Sequence, residues 1–586
     1  MIVLDFETWG AQPEYALMPW RTDSWITVVA YGDSHKQEAV KDHSIHMLRN
    51  ILKQGPVLTW NGVFDIAWLL KTWPELRDQV YKTQWIDVML LWQRVEAGKH
   101  RDDKKWSFSL KNYAKIHTDL GGYEEGITDY GTVTPELLEY AKTDIKVTAM
   151  AWNHLSKLLP VEERKSFEQE CACLPMFAEA WLTGLRVDAN EARGVQRVLR
   201  ESMMDIADSL GITEEALRSS QQLGKVLYGE WGAPVLEVSE KTQRPSTAKA
   251  TIMKAAKSTP QAAKVLVYKS LLTESTKFCE GVIEASDYNG GTAHPQPRIS
   301  GTYTGRVTYS AKTKKKYPTG IALHQWPRGK KYRGMVRPHG THIIEIDAAG
   351  QEMRLMADYS RDETMLGIFL SGRDGHALMG ANVHNKDYDW LVSEVHNGNP
   401  EAKLMRQIGK FANLSLQYRI GARTMSQRAL VQGLNLTERQ CGEIIYIYKQ
   451  TYPGVPLYWR RAVDFARQKG YAQARDGRRA MMIDGDYGND QTAINFPIQG
   501  TGAAMKYYAL AAVCHSDLRM RFAWDMHDGL YFDCPIADKQ EASDEAFALK
   551  NLLDNLDYSV WGWKPLLPLV WDIKIGTTWG NMEEVK

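Results

Sequence analysis

Cysteine is scarce in this chain, with six among 586 residues. Only Cys171 and Cys173 lie close together, and no nearby cysteine or histidine pair completes the ligand set of a structural zinc site. This usage fits a reducing compartment, so we expect a cytoplasmic protein.

An excess of either charge is also missing, because 72 Lys and Arg residues face 71 Asp and Glu residues. The net charge of +1 gives no global basic character, so any site for a polyanion must be local. No apolar run is long enough to span a membrane, and the first ten residues, MIVLDFETWG, lack the features of a signal peptide. We therefore expect no membrane partner. With 44% hydrophobic residues the chain is globular, and its length predicts roughly four domains.

Acidic residues stand at short spacings in the first third of the chain. Residues 1–6 are typical of a buried strand, on which Asp5 and Glu7 point to the same side and repel each other unless a metal neutralises them. Residues 57–70 predict a strand, a polar turn and an apolar run that contains Asp65. Residues 135–155 predict a helix with Tyr140 and Asp144 one turn apart. Each element alone is weak evidence, because such acid and Tyr/Asp pairs are common.

The order of these elements, DxE, then NxxxD, then YxxxD, resembles the DEDDy branch of 3′–5′ exonucleases. The resemblance implies that Asp5, Glu7, Asp65 and Asp144 bind two Mg²⁺ ions, for which Mn²⁺ can substitute. Two such ions activate a water and stabilise the leaving 3′ oxygen during attack on a phosphodiester. Tyr140 would help to place that water.

The segment RQIGKFANLSLQY, residues 406–418, places Arg406, Lys410, Leu414 and Tyr418 at spacings of four. We expect one helix, capped by Asn399, on which two cations, an apolar side chain and an aromatic ring form a single stripe. Arginine holds phosphate oxygens in a fork and lysine adds a point charge, so the stripe suits a triphosphate followed by a base. The alternative is an amphipathic helix with two solvated cations.

Basic residues alternate with aromatic residues between residues 302 and 338, and Lys314, Lys315 and Lys316 form the densest run. This pattern is typical of a path for a nucleic-acid backbone, although a solvated loop would have the same composition. Upstream, Asp188 predicts the cap of a long amphipathic helix. Residues 242–259 predict an exposed loop or a short helix.

Two further acids stand at the ends of predicted strands in the last half of the chain. Residues 341–360 begin as a strand and turn helical near Ala348, which puts Asp347 at the strand end. Residues 521–535 predict two short strands around His527 and Asp528, so that a tight hairpin would project Asp528. Two acids brought together from two strands again suit a pair of metal ions. In contrast, Asp87 lies on an apolar segment and is interpreted as a structural acid that caps or pairs.

The combination resembles family A DNA polymerases, the DNA polymerase I class. The matching segments occur in order along nearly the whole chain: TGR at 304–306, Asp347 with Glu352 and Arg354, DGH at 374–376, RxxxKxxxLxxxY at 406–418, YPGV at 452–455, DGRR at 476–479, INFPIQGT at 494–501 and HD at 527–528. The exonuclease-like segment begins at the first residues, so we expect a protein that lacks a 5′-nuclease domain. This layout is similar to phage replicative polymerases of the family.

The resemblance implies a two-metal polymerase site formed by Asp347, Asp528 and Ala348, with Mg²⁺ as the ion. Arg406 and Lys410 would stabilise charge as pyrophosphate leaves, and Lys410 would also protonate it. The full set of implied dNTP contacts is Arg406, Lys410, His376, Leu414, Tyr418, Glu352 and Gln351.

Glu352 would occupy the space that a ribose 2′-OH needs, and Tyr418 would close against the templating base pair. The implied DNA contacts are Arg306, Asn495, Gln499, His527, Lys314, Lys315 and Lys316. The first four would read minor-groove acceptors that all correct base pairs present alike, and so would check pair geometry without reading sequence.

We expect a multidomain α/β protein in which an RNase-H-like DEDDy exonuclease domain is joined to a right-hand polymerase of palm, fingers and thumb. The predicted bounds are 1–160 for the exonuclease, 161–300 for a mainly helical thumb and connector, 301–361 for the first part of the palm, 362–495 for the fingers and 496–586 for the second part of the palm. The predicted function is proofreading DNA synthesis in the replication of a phage genome, in the host cytoplasm. The expected partners are primer-template DNA and dNTPs, with a helicase or primase as a further candidate, and the expected state is a monomer.

The chain departs from the family pattern at two positions near the nucleotide stripe. Leu414 stands where the family usually has Phe or Tyr, which predicts altered discrimination against 3′-deoxy chain terminators. Arg419 replaces a Gly that follows Tyr418, and the sequence offers no reason for this change.

Parts of the sequence are also compatible with three other functions. A single-subunit RNA polymerase would need neither the exonuclease acids nor Glu352. A catalytically silent DNA-binding or scaffold protein is disfavoured because every metal-binding acid is present. A stand-alone repair nuclease would leave the second half of the chain unexplained.

Overall fold

The computed structural model describes residues 1–239, 243–256 and 258–585. The first part of the chain alternates strands and helices. Its strands are β1 Ile2–Gly10, β2 Ser24–Gly32, β3 Gln37–Val40, β4 Val57–Thr59 and β5 Trp85–Asp87. Its helices are α1 Ile45–Lys53, α2 Gly62–Thr72, α3 Arg77–Lys82, α4 Val88–Glu96, α5 Leu110–His117 and α6 Pro135–Leu155.

These strands form one sheet in the order β3-β2-β1-β4-β5, with β1 antiparallel to β2 and parallel to β4. The strand predicted at residues 1–6 and the helix predicted at 135–155 are confirmed. The 57–70 prediction is also confirmed, because β4 is followed by a turn and then by α2. β1 therefore lies at the centre of the sheet, where its side chains are covered by helices.

The middle of the chain is mainly helical, as predicted. Its elements are α7 Val161–Ala172, α8 Leu174–Thr183, β6 Leu185–Val187, α9 Ala189–Leu210, α10 Glu214–Arg218, α11 Ser220–Gly224, α12 Lys249–Ala255, α13 Pro260–Thr273, α14 Glu280–Asn289, β7 Thr292–Ala293 and β8 Gln296–Arg298. Asp188 caps α9 by accepting from the backbone N–H of Glu191. Within the predicted segment 242–259 the structure has the short helix α12, and residues 242 and 257 lie outside the described residues.

The remaining chain builds a second sheet and a helical region inserted between its strands. The first elements are β9 Thr308–Ser310, α15 Lys330–Arg333, β10 Val336–Arg337, β11 His342–Ala348 and α16 Gln351–Ser360. The inserted helices are α17 Glu363–Ser371, α18 Gly375–His384, α19 Tyr388–His396, α20 Pro400–Leu416, α21 Ala422–Val431, α22 Glu438–Thr451 and α23 Gly454–Lys469. The last elements are β12 Tyr471–Gln473, β13 Arg479–Met481, α24 Asn489–Cys514, β14 Arg521–Met526, β15 Gly529–Cys534, α25 Lys539–Asp554, β16 Trp571–Gly576 and β17 Glu583–Glu584.

The second sheet is antiparallel, in the order β14-β15-β11-β16-β17. Both the strand-to-helix change near Ala348 and the hairpin around residues 527–528 are confirmed. The helix α8 packs on α2 beside the first sheet and on β14 of the second sheet. Across this junction the rings of Phe177 and Phe522 meet edge to face, with centroids 4.9 Å apart. One continuous hydrophobic core therefore joins the two sheets.

Two of the predicted domain boundaries do not match the elements. The boundary at 495/496 falls inside α24, which continues through the buried Pro497 to Cys514. The hydroxyl of Tyr458 donates to the Ile494 carbonyl at 2.8 Å, and that of Tyr359 to the Pro497 carbonyl at 3.2 Å. The boundary at 300/301 separates β8 from β9, which pair with each other. None of the helices in the described ranges is long and apolar enough to cross a membrane.

Candidate active sites

The first candidate site lies on β1, the central strand of the first sheet. Carboxylate oxygens of Asp5, Glu7 and Asp144 all lie within 4.8 Å of one another. Asp65 belongs to the first turn of α2 and is buried, and its Oδ1 accepts from the backbone N–H of Phe6 at 3.3 Å. The fold thus brings together acids that are far apart in the sequence, since Asp5 and Asp144 are separated by 139 positions.

The electrostatics of this cluster favour a bound cation. Burial raises the pKa of Asp5 to about 7, and the charge of Asp144 adds to the effect. Burial, followed by the charge of Asp5, also holds the pKa values of Glu7 and Asp65 well above their ordinary range. Carboxylate oxygens crowded in this way are the ligands that Mg²⁺ and Mn²⁺ prefer, so the residues present fit such ions.

Tyr140 lies on α6 one turn before Asp144, as predicted, and its side chain is buried. Two neighbours of this site were missed by the sequence analysis. The ammonium group of Lys111 and the hydroxyl of Tyr123 both donate to Asp144 Oδ1. Neither residue belongs to a spaced motif, so the sequence carries no signal that would place them here.

Asp87 is confirmed as a structural acid. Its Oδ1 accepts from the N–H groups of Met89 and Leu90 and so caps α4, while its Oδ2 accepts from Gly62 N–H at 2.8 Å. Asn61, which precedes Gly62, adopts a left-handed φ of 64° and also donates to Asp87. The carboxylate therefore fixes the turn that leads from β4 into α2.

The second candidate site lies at one end of the second sheet. Asp347 on β11 stands opposite Gly529 on β15, next to Asp528 in the hairpin turn. Burial raises the pKa of Asp347 to about 7, and the charge of Asp528 is the next contribution. Ala348 donates its N–H to the Asp528 carbonyl at 3.4 Å, and His527 holds the turn with a φ of 54°. A pair of carboxylates that repel each other again fits divalent cations.

Arg306 and Glu352 stand beside this acid pair. Arg306 Nη2 is 3.2 Å from Glu352 Oε1 and 3.9 Å from Asp528 Oδ1. Burial, followed by the charge of Asp528, raises the pKa of Glu352. The phenol of Tyr418 lies against Glu352, so burial and then the carboxylate raise the pKa of Tyr418. These side chains form one continuous polar surface next to the acids.

The stripe on α20 forms as predicted for three of its four residues. Asn399 caps the helix by accepting from Glu401 and Ala402 N–H, and Lys410 and Leu414 are exposed on it. The prediction that Tyr418 lies on the same helix is wrong, because α20 ends at Leu416. Residues 417–419 form a turn in which Tyr418 lies near Glu352, and Arg419 follows with a left-handed φ of 55°.

Close contact between α18 and α20 brings His376 to this stripe. A Cβ added at Gly409 would lie 2.2 Å from the His376 carbonyl and 2.4 Å from Gly380 N, so only glycine allows the approach. Asp374 caps α18 and also accepts from Arg406 Nε at 2.6 Å. Burial lowers the pKa of His376 to about 4, so its ring is neutral at neutral pH.

Gln351 is placed differently from the prediction. Its side chain is 4% exposed and its amide donates toward the Gly502 carbonyl of α24 at 3.5 Å. This packing disfavours the dNTP contact predicted for Gln351. Asn495 and Gln499 lie one turn apart on α24 and are half-buried, and Gln499 lies near the phenol of Tyr418.

The basic segment 302–338 is partly neutralised by ion pairs. Lys312 pairs with Glu284, Lys331 with Glu274, and Arg337 with Asp188 and Glu191, as the distances of 3.4, 3.8, 3.2 and 2.6 Å show. Lys314, Lys315 and Lys316 are exposed and enter no ion pair within the described residues. Arg328 and Lys330 of the same segment are also exposed without an ion pair among the described residues, so the uncompensated charge is not confined to the lysine run.

The sequence model of DNA polymerase family A matches residues 189–581, about two thirds of the 586 residues of the chain. The chain belongs to DNA polymerase family A. The matched residues contain the whole second site, including Asp347, Asp528 and α20, whereas the first site lies before them.

Curated relatives agree with this family. The thermostable DNA polymerase I of Thermus aquaticus is 24% identical over 470 residues, which cover 78% of this chain and 52% of the relative. DNA polymerase I of Pseudomonas aeruginosa is 26% identical over 461 residues, covering 76% of this chain and 47% of the relative. The chain therefore spans about half the length of these relatives.

A solved structure extends the likeness to the first sheet. The POL domain of Pol1 from M. smegmatis, in complex with DNA primer-template and dNTP, matches with a TM-score of 0.74 and 17% identity. The match covers 99% of this chain and 95% of that one. At this identity the likeness shows a shared fold, and it includes residues that the family model leaves unmatched.

Proposed function

We propose that this chain is a template-directed DNA polymerase that extends a primer 3′ end with dNTPs. The observation that carries the proposal is the meeting of the Asp347–Asp528 pair with Arg306, Glu352 and Tyr418 at one end of the second sheet. Repelling acids support a metal centre, and the cation, carboxylate and ring beside them support a nucleotide bound next to it. Membership of family A supports the same reaction.

Asp347, Asp528 and the Ala348 carbonyl would hold two Mg²⁺ ions, for which Mn²⁺ would substitute. When bound, these ions supply charge stabilisation at the α-phosphate and activation of the primer 3′ oxygen. The protein's part is to fix the two carboxylates by the β11–β15 pairing. A Cβ added at Gly529 would lie 3.2 Å from Asp347 Oδ1, so glycine keeps room around the acid.

Arg406, Lys410 and His376 would bind the triphosphate. Arg406 Nε donates to Asp374, and this hydrogen bond orients the guanidinium group. Within the described residues, the two terminal nitrogens of Arg406 form no hydrogen bond. These nitrogens can hold phosphate oxygens in a fork, and Lys410 can donate a proton to the leaving pyrophosphate. The neutral ring of His376 would add a hydrogen bond without adding charge.

Glu352 would exclude a ribose 2′-OH, and Tyr418 would close against the templating pair with Leu414 beside the sugar. The half-buried setting of Glu352 between Arg306 and Tyr418 supports a fixed carboxylate rather than a solvated one. The DNA contacts proposed on the same surface are Arg306, Asn495, Gln499 and His527, with Lys314, Lys315 and Lys316 along the backbone.

We also propose that the first sheet forms an RNase-H-like 3′–5′ exonuclease domain that proofreads. The support is the strand order with β1 at its centre, and the cluster of Asp5, Glu7, Asp65 and Asp144 on and around that strand. These acids would hold the ions for hydrolysis, and Tyr140 would orient the water.

The second sheet would then be the palm, the helices α17–α23 the fingers and the helices α9–α14 the thumb. Replication of a phage genome in a host cytoplasm, a monomeric state and a helicase or primase partner stay predictions.

A primer-extension gel tests both proposed activities in one experiment. With Mg²⁺ and four dNTPs we expect longer products, and without dNTPs we expect a shortened primer. Asp528→Ala should abolish extension and retain degradation, and the double change Asp5→Ala with Glu7→Ala should do the reverse. Asp517→Ala, an exposed acid before β14, is the matched control and should retain both activities.

The outcomes separate the competing functions. Shortening of the primer in both lanes would indicate a nuclease whose polymerase half is silent. No change in either lane would favour a binding role. Loss of both activities from either change would contradict two separate sites.

A further inference from the structure

A lysine ammonium lies inside the acid cluster of the first sheet. Lys111 is the second residue of α5, which Ser109 caps, and its side chain is 25% exposed. Its Nζ donates to Asp144 Oδ1 and to the Tyr123 hydroxyl, the latter at 2.8 Å. The same Nζ lies 4.3 Å from the ring centroid of Tyr123 and 4.2 Å from that of Tyr140.

This ammonium is the cation nearest to a group of acids that repel one another. Asp5, Glu7 and Asp144 place oxygens within 4.8 Å of each other, and Lys111 forms an ion pair with Asp144. Within the described residues no other lysine or arginine forms an ion pair with this cluster. Within the described residues, Lys111 is therefore the one basic side chain that offsets the repulsion among these acids by an ion pair.

The contacts of Lys111 show that its position is built rather than accidental. Two aromatic rings and a hydroxyl surround the ammonium, and cation–π attraction adds to its binding there. The four-carbon stem is flexible and partly exposed, so the ammonium can leave toward solvent without unfolding α5.

We propose that Lys111 is a displaceable counter-cation that competes with a divalent metal ion for Asp144. This inference rests on the proposed exonuclease function of the site. In the metal-free protein the ammonium offsets the repulsion among the acids. A metal ion that binds Asp144 must push this positive charge away, which weakens metal binding and lets the site fill only when the metal is abundant.

Calorimetric titration with Mn²⁺ tests the proposal on the full chain. The parent protein carries Asp347→Asn and Asp528→Asn, so that the second site contributes little to the titration. We expect Lys111→Met to bind Mn²⁺ more tightly, by about tenfold or more, because a unit charge close to a divalent ion is removed. Lys111→Arg keeps the charge and should stay near the parent. Lys115→Met removes an exposed lysine one turn along α5 and should change nothing.

Thermal melting gives a second readout that does not depend on activity. Without metal, Lys111→Met should melt below the parent, because the acids lose their counter-cation. With saturating Mn²⁺ the difference should shrink or reverse. If Lys111 had only a structural role, Lys111→Met would lower the melting temperature both with and without Mn²⁺ and would weaken Mn²⁺ binding.

Unchanged or weaker Mn²⁺ binding in Lys111→Met overturns the proposal. If that variant does not fold, Lys111→Gln keeps a hydrogen-bond donor without the charge and decides the question by the same criterion. Mn²⁺ binding that is absent from the parent, or that survives Asp5→Ala with Glu7→Ala, overturns the proposed exonuclease metal site itself. Binding that depends on those acids but ignores Lys111 leaves the exonuclease proposal standing and removes this one.

Discussion

Replacing Arg94 with methionine should be among the most destabilising single changes in this protein. Arg94 lies on α4 and is 3% exposed, and its Nε donates to Glu170 Oε2 at 2.8 Å. Its Nη1 lies 3.7 Å from Glu163 and 3.6 Å from Asp476. One guanidinium thus faces three buried carboxylates from α7 and from the turn between β12 and β13.

Two further arginines complete this network. Arg478 Nη2 donates to Glu170 at 2.9 Å, and Arg479 Nε donates to Glu163 at 2.8 Å. Three arginines and three carboxylates make the network neutral, so loss of Arg94 leaves one uncompensated negative charge. Although burial opposes them, Arg478 and Arg94 hold the pKa of Glu170 below its ordinary value.

The expected cost of Arg94→Met follows from this geometry. Breaking a buried ion pair by removing one partner costs about 3–5 kcal/mol, because the remaining charge stays desolvated. Arg164→Met is the matched control, since Arg164 is exposed on the same helix as Glu163, and it should change stability by less than about 0.5 kcal/mol. Urea unfolding followed by tryptophan fluorescence measures both variants.

The network should also affect the second site. The guanidinium of Arg478 packs against Gly305, the residue before Arg306, and a Cβ added at Gly305 would lie only 2.8 Å from it. Arg94→Met should therefore reduce primer extension more than Arg164→Met does, at a temperature where both proteins are folded.

Two results would contradict a dominant role for charge in the cost of Arg94→Met. A cost below about 1 kcal/mol for Arg94→Met would mean that water or neighbouring groups compensate the charges. The double change Arg94→Met with Glu170→Leu removes a cation and an anion together and should recover much of the lost stability. Failure to recover it would assign the cost to packing rather than to charge.

Three other changes give shorter tests. Leu414 is 44% exposed and has no hydroxyl that could replace a missing 3′-OH of the incoming nucleotide. We therefore expect Leu414→Tyr to lower the ratio of kcat/KM for dNTPs to kcat/KM for dideoxynucleotides. An unchanged ratio, or an equal effect of Leu404→Tyr on the same helix, would contradict this. Arg419→Gly should stabilise the protein by about 0.5–1 kcal/mol in urea unfolding, because the left-handed φ of 55° is free for glycine; destabilisation would show that the Arg419–Asp490 pair outweighs the strain. Between about pH 3.8 and pH 7, Asp5 is protonated in the folded metal-free protein but ionised in the unfolded chain, because its pKa is raised from 3.8 to about 7 by folding. The contribution of Asp5 to the free energy of unfolding therefore falls as the pH rises through this range. Mg²⁺ must displace that proton, so the Mg²⁺-induced rise in melting temperature should be larger at about pH 8 than at about pH 5.5, and Asp5→Asn should flatten the difference.

Local patterns in the sequence were enough to predict many elements. The helix at 135–155, the cap at Asn399 and the hairpin around residues 527–528 depend on residues close together in the chain, and the structure has all three. The acids of the first candidate site were predicted from their spacing, because a strand or a helix fixes which neighbours share a face, and Asp347 and Asp528 were predicted from their positions at a strand end and in a hairpin. Family membership follows from the same ordered segments.

Contacts between distant segments decided the rest. Helical spacing alone does not predict that α20 ends at Leu416. Gln351 is buried by α24, and its partner Gly502 lies 151 positions away in the sequence. Lys111 enters the acid cluster only because α5 packs beside α6.

The family, the α/β character of the chain and the acids proposed to bind metal could be read from the sequence alone, because they depend on short-range spacing and on residue chemistry. Which cations neutralise the buried acids of the protein depends instead on how distant segments pack together. Lys111 reaches Asp144 and Arg94 reaches Asp476 through packing that no local pattern encodes. Charge balance in a buried site depends on distances in space, so it becomes visible only when the chain is folded.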